Sequence, residues 1–521
     1  MSNAPSEPVV DRSRSLAWDP MVGHPERNRV LAICCLCLVL VVIAVSSLNV
    51  AIPTILEDLA PSSTQMLWII DSYALVFAGM LLLAGAIGDR FGRKGALLGG
   101  LTVFGLAAIA ASQAPNADAL IATRAVMGIG AAFVMPATLS IVTSVFPPAE
   151  RPKAIATWAG FAGAGSALGP LLGGFMVEHF GWSSVFLVNV PFVAAAMALI
   201  AKFVPSSRDT EERRLDIVGA ALSVITLSSL LFGIIQGPED GWTSPIVLGS
   251  FLTTLVVGIG FVVWELRCDE PMLDPRFFKI PAFRAGSGVI TAVFFGMFGM
   301  FFMLTQYLQF VKGYSPLVAG FATVPSALTM LIVTPRSPQL VARFGARKVV
   351  TTGMLLVATA FLIYSQLSPD APYLAVAAAL VVGAVGMGMS MAPASTAIVS
   401  SLPLSKAGVA SAVNDVTREV GGALGIAVLG TILTSRFTSS MDDRLPASVP
   451  DQVRVGARTS INAAIVIADK LPQQYSEPLK AAARSAFTDA FNSAFVVSAV
   501  LLFVMAIVAA RSVPDTREVQ H

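Results

Sequence analysis

The sequence predicts an all-α polytopic membrane protein with 14 transmembrane helices. Its 521 residues are 55% hydrophobic and only 13% charged, whereas soluble domains carry about 25% charged residues. The apolar residues form runs of about 20, the length that a helix needs to cross a bilayer. Basic residues are concentrated in alternate connections between these runs, which is typical of a chain that crosses the membrane repeatedly.

Each of the 14 apolar runs is expected to form one span. The runs lie at 30–55, 66–88, 95–115, 119–146, 154–178, 185–204, 216–236, 245–265, 285–310, 318–340, 349–367, 373–400, 408–434 and 488–510. The first run is too long for the core of a signal peptide, so we expect an uncleaved span. Two runs, 318–340 and 373–400, are the least regular because prolines interrupt them.

The distribution of basic residues predicts the orientation of the chain. Connections on the side of the N-terminus hold 22 Lys and Arg residues, and the short connections on the other side hold one, Lys312. Because basic loops stay in the cytoplasm, we expect both termini inside, in the cytoplasmic membrane of a bacterium. In the long outer connection 435–486, apolar residues at Ile461–Ala468 and Leu479–Phe487 predict short amphipathic helices. They would form either a cap over the outer mouth or a solvated spacer.

A short basic loop occurs twice in the chain. Residues 89–94 read Asp-Arg-Phe-Gly-Arg-Lys after span 2, and residues 342–348 read Ala-Arg-Phe-Gly-Ala-Arg-Lys after span 10. Two six-helix halves would make these loops equivalent, and transporters built in this way bind substrate between the halves; two unrelated basic loops are the alternative. Spans 7 and 8 would then be an insertion without mechanistic charges. The predicted division is tail 1–29, first half 30–204, linker 205–284, second half 285–510 and tail 511–521.

Three motifs on the expected spans resemble those of the major facilitator superfamily, in its 14-helix branch of drug:proton antiporters. They are GAIGDRFGRK at 85–94, LIATRAVMGIG at 120–130 and GSALGPLLGG at 165–174. The resemblance covers nearly the whole chain and implies two six-helix bundles with two inserted linker helices. It implies a monomer in the lipid bilayer that exports amphiphilic, often cationic, small molecules in exchange for protons, with no other cofactor.

Two positions depart from this family's pattern. The acid that the family commonly carries in span 1 is Ala44 here, and its Trp-Arg-Trp before span 6 is Trp182-Ser183-Ser184. The missing acid affects the proton stoichiometry and the affinity for dications. Export of an endogenous natural product or a lipid, with altered proton coupling, is therefore the alternative function.

Charged residues inside the spans are the candidates for proton coupling, because a charge in a bilayer is costly unless it is paired or hydrated. Asp71 and Arg124 lie about five residues from the outer ends of spans 2 and 4, roughly 8 Å deep. Equal depth favours an ion pair that a proton or substrate could open; a static pair that locks two helices is the alternative.

Asp415 and Glu419 form a second candidate pair for proton coupling. Their i, i+4 spacing places them on one face of span 13, where two acids in a low dielectric repel and one should keep a proton. Alternatively, Arg418 or Lys406 neutralises one acid and the group only orders the inner gate.

Residues at the cytoplasmic end of span 2 are expected to act on conformation. The Asp89 carboxylate can hold a helix N-terminus or an arginine such as Arg93 in one state and release it in another. The predicted conformational gate comprises Gly85, Asp89, Arg90, Gly92, Arg93 and Arg418. The small-residue stripe Gly165, Gly169, Gly173 and Gly174, with a kink at Pro170, should allow close packing and bending between the halves.

Several polar and aromatic residues within spans are candidates for the substrate cavity, since drug-binding pockets are mostly apolar with few polar anchors. They are Asn49, Trp158, Asn189, Gln306, Tyr307 and Asn414. The sequence has no phosphate-binding loop for ATP and no metal or catalytic constellation, so we expect no enzyme. A net charge of +2 predicts no nucleic-acid partner, and the four cysteines have neither disulfide nor zinc spacing.

Overall fold

The computed structural model describes residues 21–61, 63–206, 216–445 and 451–514. Within these ranges, 14 helices are long and apolar enough to span a membrane, which confirms the predicted number. They are α1 Arg27–Ser46, α2 Trp68–Phe91, α3 Arg93–Ser112, α4 Ala117–Val145, α5 Arg151–Phe180, α6 Ser184–Phe203, α7 Ile217–Pro238, α8 Pro245–Arg267, α9 Pro281–Val311, α10 Leu317–Phe344, α11 Ala346–Tyr364, α12 Tyr373–Ser400, α13 Leu404–Arg444 and α14 Gln473–Ser512. Six of the counted basic residues lie outside the described residues: Arg12, Arg14, Arg208, Arg213, Arg214 and Arg517.

The two proline-containing spans are present. α10 includes a 3₁₀ turn at Thr334–Arg336, and α12 continues as a helix through Pro393. α13 opens with a 3₁₀ turn, Leu404–Lys406, and its α-helix then runs over Ala407–Arg444. The remaining short helices are Leu48–Leu59, Pro275–Lys279 (3₁₀), Asp451–Ala457 and Ile461–Asp469.

The repeated basic loop has the same backbone geometry at both places. Gly92 has φ 110° and ψ 126°, and Gly345 has φ 87° and ψ 149°. Glycine tolerates this positive φ, and each one directly precedes the next span. Arg90 and Arg343 each lie 5.1 Å from the ring centroid of the phenylalanine that follows them. The geometry supports an internal repeat rather than two unrelated loops.

The helices of α13 and α14 are longer than a bilayer is thick. The Ala407–Arg444 helix has 38 residues, and at 1.5 Å per residue it is about 57 Å long, against roughly 30 Å of hydrocarbon. The expected short helix near Ile461 is confirmed as Ile461–Asp469, which packs against α14. Apolar residues 479–487, however, belong to α14 itself. The described part of this connection is therefore packed on the bundle rather than a solvated spacer.

α13 occupies a central position in the bundle. It packs against α9 and α14 on one side and against α2 and α4 on the other. α5 and α10 form a second contact between the two predicted halves. In the insertion, α7 packs against both α2 and α13, whereas α8 packs mainly against α7. Thus α7 adjoins both sets of spans.

The glycine stripe of α5 packs mainly against α1. A methyl carbon placed on Gly165 would lie 3.3 Å from the Val42 side chain, and one on Gly173 would lie 2.9 Å from the Ser47 carbonyl oxygen. Ser47 marks an irregular turn between α1 and Leu48–Leu59. Because α1 and α5 both belong to the predicted first half, the expectation that this stripe packs between the halves is wrong at these positions.

The remaining residues of this α5 motif contact either α1 or α10. A methyl carbon on Gly169 would lie 2.8 Å from Ser46 Cβ, again on α1. Only Gly174 and Pro170 approach α10, where their neighbours are Leu317 and Gly320. Contact between α5 and α10 therefore uses the face beside the stripe.

We expect Gly173→Ala to destabilise the protein. The new methyl group would overlap the backbone at Ser47, and overpacking of this kind costs about 1–3 kcal/mol. Thermal unfolding of the purified protein in detergent should show a lower Tm. Gly99→Ala on α3 is the matched control, since nothing lies within 4 Å of its added carbon. Equal midpoints for the two variants would contradict this packing.

Candidate functional site at the buried charges of α2, α4 and α13

A buried ion pair lies where α2 ends and α3 begins. Arg93 Nε and Nη2 donate to Asp89 Oδ1 at 3.0 and 2.9 Å. Asp89 is 6% exposed and Arg93 is 4% exposed. The tight turn at Gly92 between the two helices lets the first residue of α3 reach back to α2. A buried pair of this kind is costly to break, because either partner alone would be an uncompensated charge.

The same carboxylate caps the helix of α13. Backbone amides of Gly408 and Val409 donate to Asp89, with the shortest distances at 2.8 and 3.2 Å. Arg93 Nη2 also donates to the Leu404 carbonyl oxygen at 2.8 Å. Since the first amides of a helix lack internal partners and carry partial positive charge, a carboxylate is well suited to this place. We call these contacts the α2–α13 latch.

Two glycines make the latch sterically feasible. A methyl carbon on Gly85 would lie 2.6 Å from the Gly408 carbonyl oxygen, and one on Gly408 would lie 2.6 Å from that of Gly85. Helix backbones can approach this closely only where both residues are small. Of the other predicted gate residues, Arg90 stacks on Phe91 and Arg418 lies farther along α13.

The second part of the site is built around Arg124 on α4, which is 1% exposed. Its Nε donates to the Ile69 carbonyl oxygen at 3.1 Å and its Nη2 to that of Ile70 at 3.4 Å. The guanidinium lies 4.6 Å from the ring centroid of Tyr73. Asp71 is close enough to attract it electrostatically. The direct ion pair between Asp71 and Arg124 remains a prediction.

Two polar atoms of this cluster are buried without a hydrogen-bond partner in the described chain. They are Arg124 Nη1 and the Tyr73 hydroxyl. The close packing of α4 on α2 is possible because position 128 is glycine, where a methyl carbon would lie 2.6 Å from the Tyr73 carbonyl oxygen. Arg124 is thus a buried cation with one donor unused.

The third part of the site is an ion pair within α13. Arg418 Nη1 lies 3.3 Å from Asp415 Oδ1. The guanidinium also lies 4.7 Å from the ring centroid of Phe294 on α9 and 5.5 Å from that of Trp158 on α5. Arg418 therefore contacts aromatic rings from both predicted halves. Cation–π contacts of this kind stabilise most when water is excluded.

Asp415 and its neighbour Asn414 are both buried. Ser395 Oγ on α12 donates to Asn414 Oδ1 at 2.9 Å, and Asn414 Nδ2 lies 3.4 Å from Asp415 Oδ1. Asp415 Oδ2 has no hydrogen-bond partner in the described chain. Arg418, one of the two suggested partners, is therefore paired with Asp415. Lys406, the other suggested partner, donates to the Pro271 carbonyl oxygen.

Glu419 has a different environment from Asp415. It is half-buried, and its electrostatic neighbours are Arg418, Asp415 and Tyr73. Tyr73 also stacks on Arg124. Glu419 therefore connects the residues around Arg418, which we call the α13 cluster, with the residues around Arg124, which we call the Arg124 cluster. The structure thus brings the four predicted proton-coupling residues into two adjoining clusters.

The cavity candidates have different surroundings. Two of them, Trp158 and Asn414, belong to the α13 cluster. Trp158 Nε1 donates to Thr138 Oγ1 at 3.2 Å. Asn189 and Gln306 bond to carbonyl oxygens of their own helices. Tyr307 donates to the Ser368 carbonyl oxygen and stacks on Phe491, so it packs against α14 instead. The side chain of Asn49 lies outside the described residues.

Sequence reasoning missed several partners in these clusters. Tyr73, Thr138, Phe294, Ser395 and Gly408 are common residue types in membrane helices and carry no local signal of their roles. Gly408 is 319 positions from Asp89, so only the fold could identify this contact. In the described part of the chain, no group of three or more His, Cys, Asp or Glu residues is arranged to hold a metal.

Comparisons with known proteins agree with this architecture. A family model described as "Major Facilitator Superfamily" matches residues 34–426. The multidrug efflux pump LfrA of Mycolicibacterium smegmatis is 36% identical over 479 residues, which cover 92% of this chain and 94% of LfrA. The methyl viologen resistance protein SmvA of Salmonella typhimurium is 35% identical over 85% of this chain and 90% of SmvA. The human organic anion transporter MFSD10 has a similar fold, with a TM-score of 0.61 at 16% identity, covering 92% of this chain and all of MFSD10.

We expect Asp89→Asn to weaken the α2–α13 latch. The neutral amide keeps the size of the side chain but loses the charge-assisted bonds to Arg93 and Gly408, which are worth about 1.5–3 kcal/mol each. The distance between spin labels at positions 91 and 405 is measured in a chain without native cysteines. In Asp89→Asn, the fraction of molecules in which these two positions are separated should be at least about tenfold higher than in the parent chain. Asp58→Asn, at an exposed acid, is the control. An unchanged distance distribution in Asp89→Asn would rule out the latch.

Proposed function

The chain belongs to the major facilitator superfamily, and we propose that it is a proton-coupled exporter of amphiphilic drugs or other toxic small molecules. The names of its relatives, a multidrug efflux pump and a methyl viologen resistance protein, support a drug-type cargo. The basic connections support a cytoplasmic location for both termini. Export would then run from the cytoplasm across a bacterial cell membrane.

The observation that carries the proposal is a pair of incompletely satisfied charges inside the bundle. Arg124 Nη1 and Asp415 Oδ2 are both buried and lack hydrogen-bond partners in the described chain. Native proteins rarely leave charged atoms in this condition, since each costs desolvation energy. A proton on Asp415, or a polar group of a substrate near Arg124, would satisfy them. This arrangement suits a protein that loads and unloads these groups in a cycle.

The α13 cluster is the proposed proton carrier. Protonation of Asp415 removes the charge that holds Arg418, so the contact of Arg418 with Trp158 on α5 becomes easier to break. Glu419, which adjoins Tyr73 and Arg418, would pass this change to the Arg124 cluster. Asp71 would take a proton in turn and release Arg124. Chemistry of this kind couples proton binding to the contact between halves.

The α2–α13 latch is the proposed gate on the cytoplasmic side. Alternating access in transporters with internal repeats occurs by rocking of the halves about a central site. Opening this end of the molecule must break the bonds from Asp89 to Gly408 and Val409. We therefore expect Asp89 and Arg93 to affect turnover more than the choice of substrate. The proton gradient would supply the energy, to a protein that acts as a monomer without a bound cofactor or enzymatic activity.

Export of an endogenous natural product or a lipid is the second candidate. It is favoured by Ala44, which is 3% exposed within α1 and stands where the family commonly has an acid. A cationic substrate would have one negative charge fewer to pair with than in a family member that carries this acid. A biosynthetic gene cluster around the gene would favour this candidate, whereas a divergent repressor gene would favour drug efflux.

Efflux of a lipophilic cation dye from a pump-deficient host tests the proton coupling. Cells that express the chain should retain at least about tenfold less dye than cells without it. A protonophore should abolish this difference, because the proposed export uses the proton gradient. Dye export that continues after the gradient has collapsed would refute the coupling.

Neutral variants test the individual carriers. Asp415→Asn and Asp71→Asn should each reduce proton-driven export at least about tenfold, because the amide cannot take up a proton. Asp58→Asn, exposed after α1, should leave export unchanged. Expression and Tm must match the parent chain. Wild-type export by either variant would remove that residue from the mechanism.

A further inference from the structure

The insertion, which we expected to lack mechanistic charges, carries two buried acids. Asp216 directly precedes α7 and is 9% exposed, and Glu265 lies near the end of α8 and is 1% exposed. A methyl carbon placed on Gly219 would overlap Asp216 Oδ2 and would lie 2.7 Å from Glu265 Oε1. The two carboxyl oxygens therefore face the same small space beside the Gly219 backbone.

The two carboxyl groups differ in how well their charge is stabilised. Asp216 accepts from the Gly219 amide at 2.7 Å and from Trp264 Nε1 at 2.9 and 3.0 Å. As the N-cap of α7 it also faces the positive end of the helix dipole. Glu265 Oε2 accepts from the Leu273 amide at 3.3 Å. Its Oε1 is buried without any partner in the described chain.

This difference identifies which group holds a proton. Two carboxylates in one buried space repel, and the pair is most stable with a single shared proton. Asp216 accepts three hydrogen bonds, which stabilise its ionised form. On Glu265, a proton at Oε1 turns the unpartnered acceptor into a donor in the space that it shares with the Asp216 carboxylate.

The pair is also connected to the α2–α13 latch. Lys406, in the 3₁₀ turn that opens α13, donates to the Pro271 carbonyl oxygen at 2.7 Å and attracts Glu265 electrostatically. Leu404 in the same turn accepts from Arg93 of the latch. The connector between α8 and α9 thus lies between the carboxyl pair and the start of α13. The thiol of Cys268 also lies close enough to Asp216 and Glu265 to interact with them electrostatically.

We propose that Asp216 and Glu265 form a proton-binding site, with the proton held on Glu265, which controls how tightly the start of α13 is held in the latch. With the proton present, Glu265 bonds to Asp216 and the end of the insertion is compact. Loss of the proton makes Glu265 repel Asp216 and attract Lys406. The Leu404–Lys406 turn is then pulled toward α8, and the latch opens more readily. This site is separate from the proposed carriers on α2 and α13.

The thiol of Cys268 provides a local test, because the other three cysteines can be replaced by alanine in the full-length chain. Burial, with the carboxyls of Asp216 and Glu265, raises the pKa of this thiol. Ionisation of Glu265 adds a negative charge nearby, so it should lower the fraction of Cys268 in the reactive thiolate form further. Alkylation by iodoacetamide should therefore proceed at equal rates in the parent and Glu265→Gln at pH 5.5. At pH 8.5 it should be about threefold faster in Glu265→Gln.

Two further variants complete this test. Asp269→Asn removes an exposed acid next to Cys268. The ratio of its alkylation rate to that of the parent should stay constant between pH 5.5 and pH 8.5. In Asp216→Asn, which lacks the repelling charge, the effect of Glu265 should begin at lower pH. A rate ratio for Glu265→Gln that is constant from pH 5.5 to 8.5 would overturn the proton site.

The effect on the latch is measured with spin labels at positions 91 and 405. The fraction of molecules with separated ends should rise about threefold from pH 6 to pH 8 in the parent and stay constant in Glu265→Gln. An equal rise in both chains would overturn the control of the latch by this site. Neither measurement depends on transport, so failure of the proposed export function would leave both results interpretable.

Discussion

The contacts of the Asp89 carboxylate are those on which the packing of α2, α3 and α13 at one end of the bundle depends. This carboxylate accepts hydrogen bonds from an arginine of the next span and from the first amides of a helix that begins more than 300 positions later. A buried carboxylate is stable only while enough donors surround it. Moving α13 away from α2 would therefore leave Asp89 with Arg93 alone and would also separate Arg93 from Leu404. One charged group thus opposes any motion of α13 relative to the first spans.

Farther along α13 the same constraint acts in a weaker form. Asp415 and Asn414 share one network, and Arg418 is held between rings from α5 and α9. In the described chain, Asp415 and Arg124, unlike Asp89, each keep one polar atom without a hydrogen-bond partner. A fully satisfied network makes a rigid contact, whereas an incompletely satisfied one gains most from a proton or a ligand. The bundle therefore combines a closely bonded contact at the latch with buried charged groups whose hydrogen bonding is incomplete in the described chain.

The insertion of α7 and α8 is part of this arrangement rather than a passive addition. α7 packs against both α2 and α13, and the connector after α8 is bonded to Lys406 at the start of α13. The insertion and the latch therefore hold the same short turn from two sides. The carboxyl pair of the insertion and the latch are therefore linked through neighbouring residues of one turn, Leu404 and Lys406.

The sequence by itself determined the number of spans, their order and the buried charges on α4 and α13. These follow from local physics: a bilayer demands a fixed length of apolar helix, and charges inside it are rare enough to be recognised individually. Only the tertiary structure decided the partners. It paired Asp415 with Arg418, placed the glycines of α5 against α1, and brought Asp216 and Glu265 into one buried space. Partners of this kind lie far apart in the chain, and helix packing, which no local pattern records, brings them together.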